Sequence, residues 1–144
     1  MKLSTRTRYG IRAILELATN YGKGPIQTNL IAKRQEISVK YLEQLMAILK
    51  ACGLVKSIRG AKGGYILAKK PDEIKLSEVF HCLEGTVVTA ECVEDADYCH
   101  RSPDCAARYI WAKVQRAIEG ILDSVTLQDL VDQAKDPGQA DYQI

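Results

Sequence analysis

The sequence has no long apolar run. Nothing in its 144 residues approaches the ~18 consecutive apolar residues of a membrane-spanning helix. The start, Met1-Lys2-Leu3-Ser4-Thr5-Arg6-Thr7-Arg8, has no apolar export segment. A cytoplasmic protein with no membrane partner is expected. The length excludes a TIM barrel or a full dinucleotide-binding fold, and there is no internal repeat or low-complexity tract. Histidine is scarce, with two in the chain. Nothing offers His81 a nucleophile and an acid partner, so it is expected to be partly buried and hydrogen-bonded. Without a catalytic dyad or a phosphate loop, no enzymatic activity is expected. Cysteine is present in odd number, five, which argues against a disulfide framework in a reducing compartment.

What is present is an ordinary folded composition, 47% apolar and 26% charged, with an extraordinary charge distribution. Residues 1–70 hold 14 Lys and Arg against 3 Asp and Glu, whereas residues 71–144 hold 6 against 15. The formal net charge of +2 therefore hides two opposite fields joined near Pro71. Such asymmetry points to a polyanionic partner for the first half.

Apolar spacing predicts a mainly helical chain. Tyr9, Ala13 and Leu17, with Ile14, Ala18 and Tyr21, mark a helix from about Ser4 to Tyr21. A short helix follows over about Thr28–Gln35, with Thr28 as N-cap and Leu30 and Ile31 inward. Ser38 then stands where an N-cap belongs, ahead of Leu42, Leu45, Met46 and Leu49. That third helix ends near Cys52-Gly53, the glycine suiting a left-handed terminus. Two strand-like runs, Leu54–Arg59 and Tyr65–Ala68, flank the turn Gly60-Ala61-Lys62-Gly63-Gly64. Past Pro71, a fourth helix covers about Lys75–Glu84, and Gly85–Asp104 has the character of a loop. A long amphipathic helix spans about Cys105–Val125. Thr126 opens a last short helix that Pro137-Gly138 ends.

Three helices and a two-stranded hairpin form a winged helix-turn-helix, in which the third helix enters the major groove by its N-terminal end. With the leucines inward, Lys40, Tyr41, Glu43, Gln44 and Ala47 face outward. Gln44 suits adenine, Glu43 suits cytosine N4, and Lys40 and Tyr41 suit phosphates or bases. Arg59 and Lys62 at the hairpin tip are placed for phosphates or a narrow minor groove. The expected DNA-contacting set is Ser38, Lys40, Tyr41, Glu43, Gln44, Ser57 and Arg59. The domain division follows the charge: a DNA-binding domain over 1–70, then 71–144 with a loop at 85–105 and a helix at 105–125. That helix, near 30 Å long at ~1.5 Å per residue, exceeds what so small a lobe covers. Pairing with its copy in a twofold dimer, reading two half-sites of an operator, is expected.

Cys92, Cys99 and Cys105 place three soft ligands on one loop, suited to zinc or an iron–sulfur cluster. Their spacing matches neither paired C-x2-C zinc sites nor ferredoxin runs. His100 adds an imidazole, so a three-thiolate, one-histidine zinc site stays open, as do free redox-active thiols. Cys52 and Cys82 are expected to be small core residues. Glu91, Glu94, Asp95, Asp97 and Asp104 form a solvated rim.

Arg59-Gly60-Ala61-Lys62-Gly63-Gly64-Tyr65-Ile66-Leu67-Ala68 resembles the wing signature R-G-x-x-G-G-Y-x-L of the IscR/NsrR superfamily of bacterial winged-helix regulators. Ile37-Ser38-Val39-Lys40-Tyr41-Leu42-Glu43-Gln44-Leu45 is similar to its recognition-helix motif, and Met1-Lys2-Leu3-Ser4, Arg8-Tyr9 and Ala13 are similar to its N-terminus. The resemblance runs from Met1 to about Val131. It implies a cluster on Cys92, Cys99 and Cys105, [2Fe–2S] as the expected form and [4Fe–4S] as the alternative. The donor would be the cluster-assembly machinery, and the targets genes of cluster biogenesis. In one branch a histidine follows the last cysteine by three residues, where this chain has Arg108. In the other an acidic residue near position 8 reaches over from the partner subunit, where this chain has Arg8. His100, Asp104 or a small external ligand are the alternatives for the fourth position. A cluster-free regulator sensing thiol redox state, or binding a partner from cysteine metabolism, is the competing expectation.

Overall fold

The computed structural model describes residues 2–136. Helix α1 (Thr5–Thr19) begins at Ser4, whose hydroxyl accepts a hydrogen bond from the Thr7 amide at 3.1 Å. It buries Ala13, Ile14, Leu17 and Ala18. Tyr21 lies beyond the helix end and stays exposed. Helix α2 (Thr28–Gln35) starts one residue earlier than its expected cap allows. Gln27 is the N-cap, with no side-chain cap bond, and Thr28 is the first helical residue. The inward face therefore runs through Ile31, Ala32 and Gln35, while Leu30 is turned out to solvent.

The turn into helix α3 (Val39–Ala51) places Glu36 at φ 57°, a left-handed position taken here without glycine. Ser38 caps α3 by accepting from the Tyr41 amide at 3.0 Å. Leu42, Leu45, Met46 and Leu49 fill the core, and Gly53 takes φ 75° just past the C-cap Cys52.

Strands β1 (Val55–Ile58) and β2 (Gly64–Leu67) pair antiparallel from Val55↔Leu67 to Ile58↔Gly64. The turn-side half of β2 is pinned by Ile26, which exchanges two backbone hydrogen bonds with Tyr65, at 3.0 and 2.9 Å. This close approach explains Gly64, and the tightness of the turn itself explains Gly63. A Cβ on Gly64 would meet the Ile26 carbonyl, and one on Gly63 would meet the Ile58 carbonyl.

Helices α4 (Leu76–Glu84), α6 (Ala106–Ser124) and α7 (Leu127–Lys135) complete the fold. The α6–α7 corner returns to the segment before α4: Leu76 donates to the Val125 carbonyl at 2.7 Å and Leu127 to that of Ile74 at 2.9 Å. One apolar cluster consequently runs from Ala13 to Val131, with α7 packed on α1. Gly10 on α1 faces Leu83 on α4, with no room for a side chain between them. The architecture is a mainly helical winged helix-turn-helix with a long additional helix.

The segment expected to be an irregular loop has local order. It forms the short helix α5 (Glu91–Glu94) and single turns at Ala96–Tyr98 and Ser102–Asp104. Elements of three or four residues carry too little apolar periodicity to show in a sequence. The expected Pro137-Gly138 stop lies outside the described residues.

Candidate nucleic-acid interface and cysteine loop

The outward face of α3 carries Lys40, Glu43 and Gln44, all exposed, with exposed Ser38 at its N-terminus. Tyr41 is half-buried, its ring meeting Tyr9 edge-on at 6.2 Å. Arg12 in turn lies 5.3 Å from the Tyr9 ring, a cation–π distance. Arg12 and Tyr9 thus brace Tyr41 from α1, a role visible only once α1 and α3 are packed.

Ser57 and Arg59 are exposed on the hairpin, where Lys50 Nζ donates to Ser57 Oγ at 2.9 Å. That bond ties the last turn of α3 to β1. Between the hairpin and the start of α2 runs a groove of about 500 Å³, lined by Thr28, Asn29, Arg59, Gly60 and Ala61 among others. Gln27 Nε2 closes one side by donating to the Ala61 carbonyl at 3.3 Å. Thr28 and Asn29, which line this groove, lie outside the expected DNA-contacting set. The sequence signal for them is their place in the first turn of α2, where unpaired amides favour anions. Glu43 lies near Tyr65: burial first, then the Glu43 charge, raises the Tyr65 phenol above its ordinary pKa.

The three loop cysteines are half-buried. Cys92 lies in α5, Cys99 follows the Ala96–Tyr98 turn, and Cys105 is the N-cap of α6, its Sγ accepting from the Arg108 amide at 3.4 Å. The loop is strapped onto α6. Arg108 Nε donates to the Cys92 carbonyl at 2.7 Å, Thr89 Oγ1 to the Trp111 carbonyl at 2.8 Å, and Gln115 Nε2 to Glu94 at 2.6 Å. Arg108 thus positions the loop and offers no metal-binding atom. His100 and Asp104 are exposed, as are the acidic residues of the rim. A hydrogen bond to Glu91, then that residue's charge, raises the pKa of Tyr98. Among the described residues, no three His, Cys, Asp or Glu side chains converge to hold one metal ion. The donor set, three half-buried thiols on adjoining turns, nevertheless fits a thiophilic metal group by its chemistry.

Of the two cysteines expected in the core, Cys82 packs against the edge of the apolar cluster and Cys52 does not. Cys52 is exposed, Cys82 is half-buried, and the two are joined in a disulfide across a Cα–Cα distance of 6.2 Å. The expectation of no disulfide is corrected for this pair. Thirty residues separate them, and only the packing of α4 against α3 brings them together. His81 also departs from expectation, being exposed on α4, although it is partnered by Glu119 of α6 at 3.0 Å. α6 itself buries no residue; Tyr109, Ile110, Trp111, Val114 and Ile121 are all exposed on it.

The chain is matched over residues 3–133 by the Rrf2 family model, described as an iron-dependent transcriptional regulator. It is 42% identical over 130 residues to the HTH-type transcriptional regulator CymR of Bacillus subtilis, covering 90% of this chain and 89% of that protein. The solved structure of CymR, described as the global cysteine regulator of B. subtilis, superposes with a TM-score of 0.80 at 41% identity, over 92% of this chain and 97% of that one. The structure of T. potens IscR gives 0.78 at 40% identity, over 98% and 93%. The matched family and the B. subtilis relative are named as transcriptional regulators rather than enzymes, and both superpositions extend over more than nine-tenths of this chain. The chain belongs to the Rrf2 family of transcriptional regulators.

Proposed function

We propose that this regulator binds a double-stranded DNA operator as a homodimer and reports iron–sulfur cluster status through Cys92, Cys99 and Cys105. The observation that carries this reading is the position of the three thiols. They lie half-buried on a loop that leads into α6 at Cys105. Residues 1–70 supply the reading surface, with Ser38, Lys40, Tyr41, Glu43 and Gln44 in the major groove and Ser57 and Arg59 on the wing. Residues 71–144 supply the sensor loop and the dimer seam. The unpartnered apolar stripe of α6, Ile110, Trp111, Val114 and Ile121, supports pairing with a second copy.

Cys92, Cys99 and Cys105 would hold the cluster, [2Fe–2S] in preference to [4Fe–4S], received from the assembly machinery. When bound, the group supplies a redox- and oxygen-sensitive load on the loop. Arg108 and Gln115 transmit the loop's position to α6 through their bonds to Cys92 and Glu94. A coupling of ~1–3 kcal/mol is enough to change operator affinity 5- to 150-fold. The protein would act in the cytoplasm, on genes of cluster biogenesis.

A second reading is favoured by the likeness to the cysteine regulator CymR: a cluster-free repressor that senses thiol redox state or a partner from cysteine metabolism. Iron and acid-labile sulfide measured on anaerobically purified protein separate the two. Coloured protein with iron and sulfide is expected. Colourless protein lacking both, or carrying stoichiometric zinc, refutes the cluster reading.

A further inference from the structure

We infer that Cys52 and Cys82 form a second redox site, a thiol–disulfide pair that takes low-molecular-weight disulfides as its oxidant and sets the rigidity of the recognition helix. The site is independent of Cys92, Cys99 and Cys105 and needs no metal.

The position of the pair carries the inference. Cys52 is the C-cap of α3, the helix whose opposite end faces DNA, and Cys82 is on α4. The chain between them includes both strands of the wing, Val55–Ile58 and Gly64–Leu67. One covalent bond therefore closes a ring that holds the end of the recognition helix and both feet of the wing. α4 is itself the frame of the molecule. Glu84 accepts hydrogen bonds from Ser4 and Thr7 at the start of α1, and His81 pairs with Glu119 of α6. With the bond open, side-chain packing is the remaining link between the two helices; in the closed form the Cys82 sulfur lies 3.4 Å from the Ile48 carbonyl oxygen.

Accessibility distinguishes this pair from a structural bridge. Cys52 is exposed and Cys82 half-buried, so small thiols and disulfides reach the sulfurs from solution. A protein that works on DNA meets cellular thiol pools, where exposed disulfides exchange readily. The step balances as follows. The Cys52 thiolate attacks one sulfur of a small disulfide, forming a mixed disulfide and releasing one small thiol. The Cys82 thiolate then attacks the Cys52 sulfur, closing the bond and releasing the second small thiol. The protein loses two electrons and two protons, and the small disulfide gains both.

A pre-ordered reading surface loses less freedom on docking than a loose one. The oxidised form is therefore the tighter DNA binder, by about fivefold, the lower range of typical coupling.

The test is peptide-mapped alkylation of the full-length protein across glutathione/glutathione-disulfide ratios, with iron and sulfide measured on the same samples. Cys52 and Cys82 should lose alkylation together, their linked peptides two hydrogens lighter. The operator Kd, read by fluorescence anisotropy, should fall about fivefold over the same range. Cys52→Ser and Cys82→Ser should each abolish the shift; the first lies at an exposed position and keeps the test usable if the second disturbs packing. Separate alkylation of the two cysteines at every ratio overturns the inference. So does closure that leaves the Kd unchanged or raises it, or a shift that survives in Cys52→Ser. Protein without iron that still shows the paired closure counts against the cluster reading alone.

Discussion

Replacing Gly64 by alanine tests whether the wing is seated by backbone contact rather than by side-chain packing. Gly64 has φ 150°, and a Cβ there would meet the Ile26 carbonyl, which is backbone and cannot rotate away. Two costs follow. Holding an L-residue in such a region costs about 1–3 kcal/mol. Moving Ile26 away breaks the two hydrogen bonds it shares with Tyr65, worth about 0.5–1.5 kcal/mol each. A stiffer unfolded chain returns roughly 0.4–1 kcal/mol. The net loss centres near ~3 kcal/mol. Gly60→Ala is the matched control. It also has positive φ, 116°, but nothing lies within 4 Å of its Cβ position, so only the backbone cost applies, about 1 kcal/mol after the unfolded-state gain. Urea unfolding followed by circular dichroism reads both. A gap of about 2 kcal/mol between the variants is expected, together with weaker operator binding by Gly64→Ala as Arg59 is carried out of place. If Gly64→Ala costs no more than Gly60→Ala, the close-approach explanation for Gly64 is wrong.

Glu84 predicts a pH dependence. The hydrogen bonds from Thr7 and Ser4 hold its carboxyl below the ordinary carboxylate range, so the folded state prefers the ionised form. That stabilisation is complete above the unfolded carboxylate pKa and is lost as pH falls through the folded one. Glu84→Gln should therefore be less stable at neutral pH, with the difference from wild type shrinking under acid; a constant difference from pH 7 down to pH 3 would contradict it. Ser38→Ala removes the α3 cap and should cost about 1 kcal/mol of stability, measured by the shift of the urea midpoint; no shift would remove Ser38 as the cap. Glu43→Ala should broaden the set of bound sequences, because a carboxylate among basic residues is repelled by phosphates and satisfied only by selected bases. Operator selection from a random pool reads this, and a narrower set would refute the role.

The sequence by itself determined the secondary elements of the reading half. Leu42, Leu45, Met46 and Leu49 repeat at helical spacing, Ser38 is a capping residue, and Gly60, Gly63 and Gly64 mark a hairpin; these are local constraints, written within a few residues. It also placed the charge, since a basic first half and an acidic second half need no tertiary information. Tertiary structure decided everything that depends on residues far apart in the chain. It set Tyr41 against Tyr9 and Arg12 over Tyr9, brought Thr28 and Asn29 beside the turn of the wing, and pinned that wing on Ile26. It also turned two cysteines thirty residues apart into one disulfide. Spacing along the chain carries no trace of that pairing, because helix packing chooses which faces meet, and α4 happens to bring Cys82 to the end of α3.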